Sequence, residues 1–123
     1  MSSNLGKLAV VDAPAFESEW IVQNYIVVGR DEVLEFVTQH PFLVPLLKAI
    51  PGQLKTYFSD ARLYLEVSYD PEIPDYEKLV VFISPDAYAP EQAFDLFKQF
   101  KYGWWLATSQ QTQNMLHVML GYR

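Results

Sequence analysis

The chain has 123 residues, half of them apolar, with eight Phe, eight Tyr and three Trp. That suits one domain with one core, and a chain of this size buries roughly two thirds of its unfolded surface without staples. With no cysteine, disulfides, thiolate metal sites and Cys nucleophiles are excluded, which favours a reducing compartment. The formal charge is −6, and residues 66 to 95 hold eight acids against Lys78 alone, a local charge of −7. An acidic chain repels phosphate backbones, and the dispersed Lys98, Lys101 and Arg123 make no basic patch, so nucleic acid is not an expected partner.

The first 17 residues lack the basic and apolar regions of a signal peptide and read as a loose N-terminal segment, ahead of a single domain over 18–123. No run approaches the ~20 apolar residues of a membrane span, so the expected setting is cytoplasmic, with no membrane partner. Trp20 to Val28 (WIVQNYIVV) is rich in β-branched and aromatic residues and stops at Gly29, which predicts a strand, with a helix as the competing reading. Asp31 then reads as an N-cap for a short helix that ends near His40, because Pro41 pushes its predecessor out of the helical region.

Leu43, Leu46, Leu47, Ile50, Leu54, Tyr57 and Phe58 recur at three- and four-residue steps and predict an amphipathic helix starting near Val44. Pro51 inside this stripe predicts a kink or break between Ile50 and Gln53. From Arg62 the period becomes two, with Leu63, Leu65, Val67 and Tyr69 on one side, a half-buried strand. Lys78 to Ser84 (KLVVFIS) is apolar on both faces and reads as a more central strand. Pro90 to Lys101 predicts a helix with Phe94, Phe97 and Phe100 on one side and Glu91 near its positive end. Leu116, Val118, Leu120 and Tyr122 alternate as a last strand. Together these elements predict an α+β fold, N-terminal helices plus one crossover helix packed on a three- to four-stranded mixed sheet.

Two stretches stand out chemically. YDPEIPDYEKL gathers Asp70, Glu72, Asp75 and Glu77 in one short loop. Hard cations take six or more oxygens from such acids, but calcium loops need glycine at the sharp turn and this loop has prolines instead. Paired acids for proton transfer need a dry pocket to raise one pKa. A wet hairpin connection is the preferred reading, with a divalent-metal site second and catalysis third. The other stretch, FKYGWWLATSQ, presents Phe100, Trp104 and Trp105. If it is extended, neighbouring indoles face opposite ways, so one enters the core (Trp105 is the choice) while the other serves an interface.

His40 before Pro41 reads as a capping residue, and His117, on the face shared with Met115 and Met119, as a hydrogen-bonded structural group. No glycine-rich phosphate loop, nucleophile elbow or H-E-x-x-H occurs, and no cofactor is implied.

The motifs His40-Pro41, Leu43 to Leu47, Tyr57-Phe58, Asp70-Pro71-Glu72 and Trp104-Trp105-Leu106, an F-x-x-x-W-W-L downstream of a strand–DPE–strand unit, together resemble a family of small uncharacterised bacterial proteins frequent in cyanobacteria. The resemblance spans roughly residues 31 to 122. Relatives in that family tend to carry acids just before the Trp pair, where this chain has Lys101, Tyr102 and Gly103. It implies the α+β fold and the cytosolic setting and brings no chemistry. The expected function is a non-enzymatic interaction protein that binds a protein partner or itself through an aromatic surface. The alternatives are a divalent-metal-dependent hydrolase or metal-binding module using the Asp70–Glu77 loop, and a small-ligand binder with an aromatic pocket near Trp104.

Overall fold

The computed structural model describes residues 17–69, 71–72 and 76–121. Of the expected loose segment, only Glu17 is among them, and it opens a helix over residues 17–24 (α1) and ion-pairs with Lys48 at 2.9 Å. The stretch expected to be a strand from Trp20 is thus helical up to Asn24, and only Ile26–Val28 (β1) is extended. The reason is burial: Ile21 and Tyr25, four residues apart, enter the core together, the spacing of one helix face.

Gly29, with φ of 70°, occupies the N-cap position of the helix Arg30–Gln39 (α2), so Asp31 lies in the first turn instead of capping it. Its carboxylate still faces the positive helix end. Val33, Phe36 and Val37 are the buried face of α2. The backbone N–H of His40 donates to Phe36 and Val37, and its ring Nδ1 lies 2.8 Å from the Phe36 carbonyl. The chain turns there by 98° through a 3₁₀ turn, Pro41–Leu43, into the helix Val44–Tyr57 (α3).

Pro51 sits inside α3 without ending it, so of the expected kink or break the break is absent. Proline has no N–H, and the carbonyl four residues earlier, that of Leu47, loses its helical donor. The buried Tyr25 hydroxyl donates to that same carbonyl at 2.6 Å. A side chain from α1 thereby replaces the bond that Pro51 removes, and burial pushes the Tyr25 phenol well above its ordinary pKa.

Strands Arg62–Tyr69 (β2) and Glu77–Ser84 (β3) form an antiparallel hairpin in full register, from Arg62 opposite Ser84 to Tyr69 opposite Glu77. After β3 come the helix Pro90–Phe100 (α4), a π-helical turn Lys101–Trp105, a short helix Leu106–Ser109 (α5), a 3₁₀ turn Gln110–Thr112 and the strand Leu116–Leu120 (β4). The sheet order is β1-β2-β3-β4, with β1 parallel to β2 and β4 parallel to β3. The fold is therefore α+β with a four-stranded mixed sheet, and it has two crossovers where one was expected.

The helices lie on one face of the sheet, where Leu65, Val67, Leu79, Val81, Ile83, Leu116 and Val118 join the buried residues of α1 to α4 in one cluster. The opposite face carries Ile26, Tyr64, Phe82 and Met119 in register across all four strands. Val80 is buried on that face, outside the helix-side cluster, which accounts for a β3 sequence apolar on both sides. Among the described residues no single helix is long and apolar enough to cross a membrane.

Candidate functional site: the cleft between α4 and the edge strand

The segment from Phe100 to Trp105 is helical, not extended as the sequence suggested. Residues five apart on a regular α-helix lie about 140° apart around its axis, whereas an i→i+5 turn brings them back toward one face. Here the Leu106 N–H donates to the Lys101 carbonyl, the five-residue spacing of a π turn. Phe100 and Trp105 end up stacked, with ring centroids at 6.4 Å and planes at 11°. Both are buried, Phe100 completely, which puts Trp105 in the core as chosen from the sequence. Trp104 is half-buried, 5.8 Å from Phe100 and 5.9 Å from Trp105. Gly103 permits the turn to approach α3: a Cβ added there would come within 2.8 Å of the Tyr57 hydroxyl.

On its other side Trp105 lines a cleft of about 620 Å³ that runs between the helical run and β4. One wall is Phe94, Phe97, Lys101, Trp105 and Leu106, and the floor is the whole of β4. Phe94, expected on one side of the helix with Phe97 and Phe100, is 57% exposed. The physical reason is angular drift. Three-residue steps advance about 300° around a helix instead of a full turn, so the third aromatic of such a series leaves the face of the first. Leu106 at 41% and Met119 at 50% are the other large apolar groups exposed on the cleft.

The outer edge of β4 supplies the cleft's polar groups. Met115 accepts from the Leu79 N–H at 2.8 Å and Gly121 donates to the Ile83 carbonyl at 2.7 Å. Backbone groups of alternate residues point to opposite edges of a strand, so Met115, His117, Met119 and Gly121 face β3. Leu116, Val118 and Leu120 therefore aim their N–H and C=O groups away from the sheet, into the cleft. The strand carries no proline and no Lys, Asp or Glu, the usual devices that blunt an edge.

The strand's start is fixed by a tight turn. Gln113 and Asn114 adopt φ of 52° and 66°, and the buried Thr112 hydroxyl donates to the Ser109 carbonyl at 2.7 Å while accepting the Asn114 N–H at 3.2 Å. His117 Nε2 lies 3.3 Å from the Asn114 carbonyl. Burial and the nearby Lys78 charge lower the His117 pKa, against the opposing pull of that carbonyl. The shift favours the neutral imidazole.

The acidic loop is described only in part. Asp70 and Asp75 lie outside the described residues, and Glu72 and Glu77 are exposed. Among the described residues no three His, Cys, Asp or Glu side chains gather as metal ligands. Glu77 instead lines a small hollow with Glu32, Glu35 and Tyr69. There the Tyr69 phenol is pushed up to about 12 by its hydrogen bond to Glu32 and by the charges of Glu32, Glu77 and Glu35.

Sequence reasoning missed Phe94, Leu106, Met119 and the β4 edge. Phe94 had a signal in its three-residue spacing, but an edge has none, because strand order is a tertiary property. Comparison with protein families, with curated proteins and with solved structures finds no match for this chain.

Proposed function

We propose that this chain is a non-enzymatic interaction protein that takes a protein partner in the cleft between α4 and β4. The observation that carries the reading is the exposure of Phe94, Leu106 and Met119 around one concave surface with an unblunted strand edge as its floor. Large apolar groups gathered on one surface mark association sites, and aromatic side chains supply most of the binding energy at such sites. Phe100 and Trp105 serve this surface from behind: their stack holds the wall that presents Phe94, Phe97 and Leu106.

The test is site-specific cross-linking. A photoreactive residue at Leu106 should trap partner protein in cell lysate, and the same residue at the exposed Glu91, outside the cleft lining, should not. Phe94→Ser with Met119→Ser should abolish the trapping while the melt stays cooperative. Equal trapping from both positions, or trapping that survives the double substitution, sinks the reading.

A further inference from the structure

Resting on that reading, we infer that the cleft binds an extended, acidic segment of the partner as a fifth strand, paired to β4. The outward N–H and C=O groups of Leu116, Val118 and Leu120 are spaced as a strand's ladder requires, and an extended backbone satisfies all of them at once. A five-residue edge spans about 17 Å, and the cleft runs its full length. Side chains of the added strand alternate: one set meets Phe94, Phe97 and Leu106, the other lies beside His117 and Met119.

Charge selects the acidic partner. The residues lining the cleft include Lys101 and no carboxylate, although the chain as a whole carries −6. Lys98 stands at the rim, its ammonium 5.3 Å from the centre of the Phe94 ring. A second copy offering its own β4 would bring its own Lys98 and Lys101 to the same place. Of the acid-rich stretch that could complement them, Glu66 and Glu77 are already in the paired β2–β3 hairpin and Glu91 and Asp95 are in α4 itself. A carboxylate-bearing strand from another protein meets no such conflict.

The experiment uses the full chain and three fluorescein-labelled peptides of about eight residues: alternating Val and Glu, alternating Val and Lys, and the Val/Glu peptide N-methylated on the alternate residues that face β4. The Val/Glu peptide should bind and slow amide exchange at Leu116, Val118 and Leu120. The Lys version should bind about tenfold more weakly, and salt should erode the difference. N-methylation should cost about tenfold or more, since it removes two or three ladder hydrogen bonds while keeping the side chains. Lys101→Glu should narrow the preference for the Glu peptide.

Equal binding of the methylated peptide, or no change in exchange at those three amides, overturns strand addition. Exchange at the three amides that slows with protein concentration alone assigns the edge to a second copy and also overturns it. If no peptide binds but trapping at Leu106 persists and is lost in the Phe94/Met119 variant, strand addition fails while the cleft keeps its partner.

Discussion

The two crossovers of this fold perform the same task, returning the chain to lay one strand parallel to another, and each contains an irregular helix. In the first, α2 and α3 carry the chain from β1 to β2, and the defect at Pro51 is closed from within: Tyr25 donates to the orphaned Leu47 carbonyl. In the second, α4, the π turn and α5 carry it from β3 to β4, and the extra residue of the π turn swings Trp105 under Phe100. The first defect is repaired by a hydrogen bond, beside a hollow of about 410 Å³ that Tyr25 and Pro51 help to line without any large apolar side chain exposed on it except Ile26. The second is resolved by stacking and leaves α4 standing off the edge strand, with a cleft between them. A helix irregularity filled by a core side chain is structural, while one that widens the helix can reshape the surface beside it.

The strongest way to break this comparison is to remove the stack. Phe100→Ala should cost ~3–5 kcal/mol in denaturant melts, as large-to-small core changes do, and Trp105→Ala a similar amount. Trp104→Ala, at a half-buried site, should cost about half as much. Equal losses at both tryptophans would mean that the π turn does not divide their roles.

A second test asks whether Tyr25 and Pro51 act together. Tyr25→Phe leaves a buried carbonyl without its donor and should cost ~1–3 kcal/mol. Pro51→Ala restores the helical donor and should be neutral or stabilising. In the Pro51→Ala background the Tyr25→Phe loss should shrink, a coupling visible in a double-mutant cycle. The pH dependence has a definite sign. Burial raises the Tyr25 pKa above its unfolded value of about 10, so the contribution is full below that pH and fades as pH rises beyond it. The stability gap between the wild type and Tyr25→Phe should therefore narrow above pH 10.

Smaller still is the effect on stability of emptying the cleft wall. Phe94→Ser and Met119→Ser should each move the unfolding free energy by no more than ~0.5 kcal/mol, in contrast with Phe100, six positions after Phe94 on the same helix. A large loss at Phe94 would place it in the core and close the cleft. The least effect concerns His117. Its lowered pKa means that the folded state resists a proton the unfolded chain accepts, so stability is full above pH ~6.5 and declines as pH falls below it. His117→Gln should flatten the stability profile between about pH 5 and pH 7; an unchanged slope would mean the imidazole is as hydrated as in the unfolded chain.

The periodic segments were legible without coordinates. Leu43, Leu46, Leu47, Ile50 and Leu54 at helical steps, and Leu63, Leu65 and Val67 at alternate positions, are all inside or half-inside the core they predict. β3, apolar on both faces, is a central strand. Trp20 to Asn24 misled because its β-branched and aromatic residues favour a strand locally, whereas the gain from burying Ile21 and Tyr25 on one face decides for helix. Lys101 to Trp105 misled for a related reason: Gly, Tyr and Trp carry no helical period, and a π turn has no sequence signature that a period of 3.6 would reveal. Of the site residues named from sequence, Trp105 lines the cleft, Phe100 lies buried behind it, and Trp104 packs beside them.

The sequence by itself determined the element types in the periodic regions, the α+β class, the absence of thiol chemistry and the uneven distribution of charge. These follow from residue type and spacing, which act over a few positions. Only the tertiary structure decided that β1 and β4 are the sheet's edges, that Tyr25 answers Pro51 across 26 positions, and that Phe94, Leu106 and Met119 meet around one cleft. Each of these joins residues far apart in the chain. They depend on how the two crossovers pack against the same hairpin, a choice made by burial of the whole core and by the backbone groups the sheet leaves unpaired.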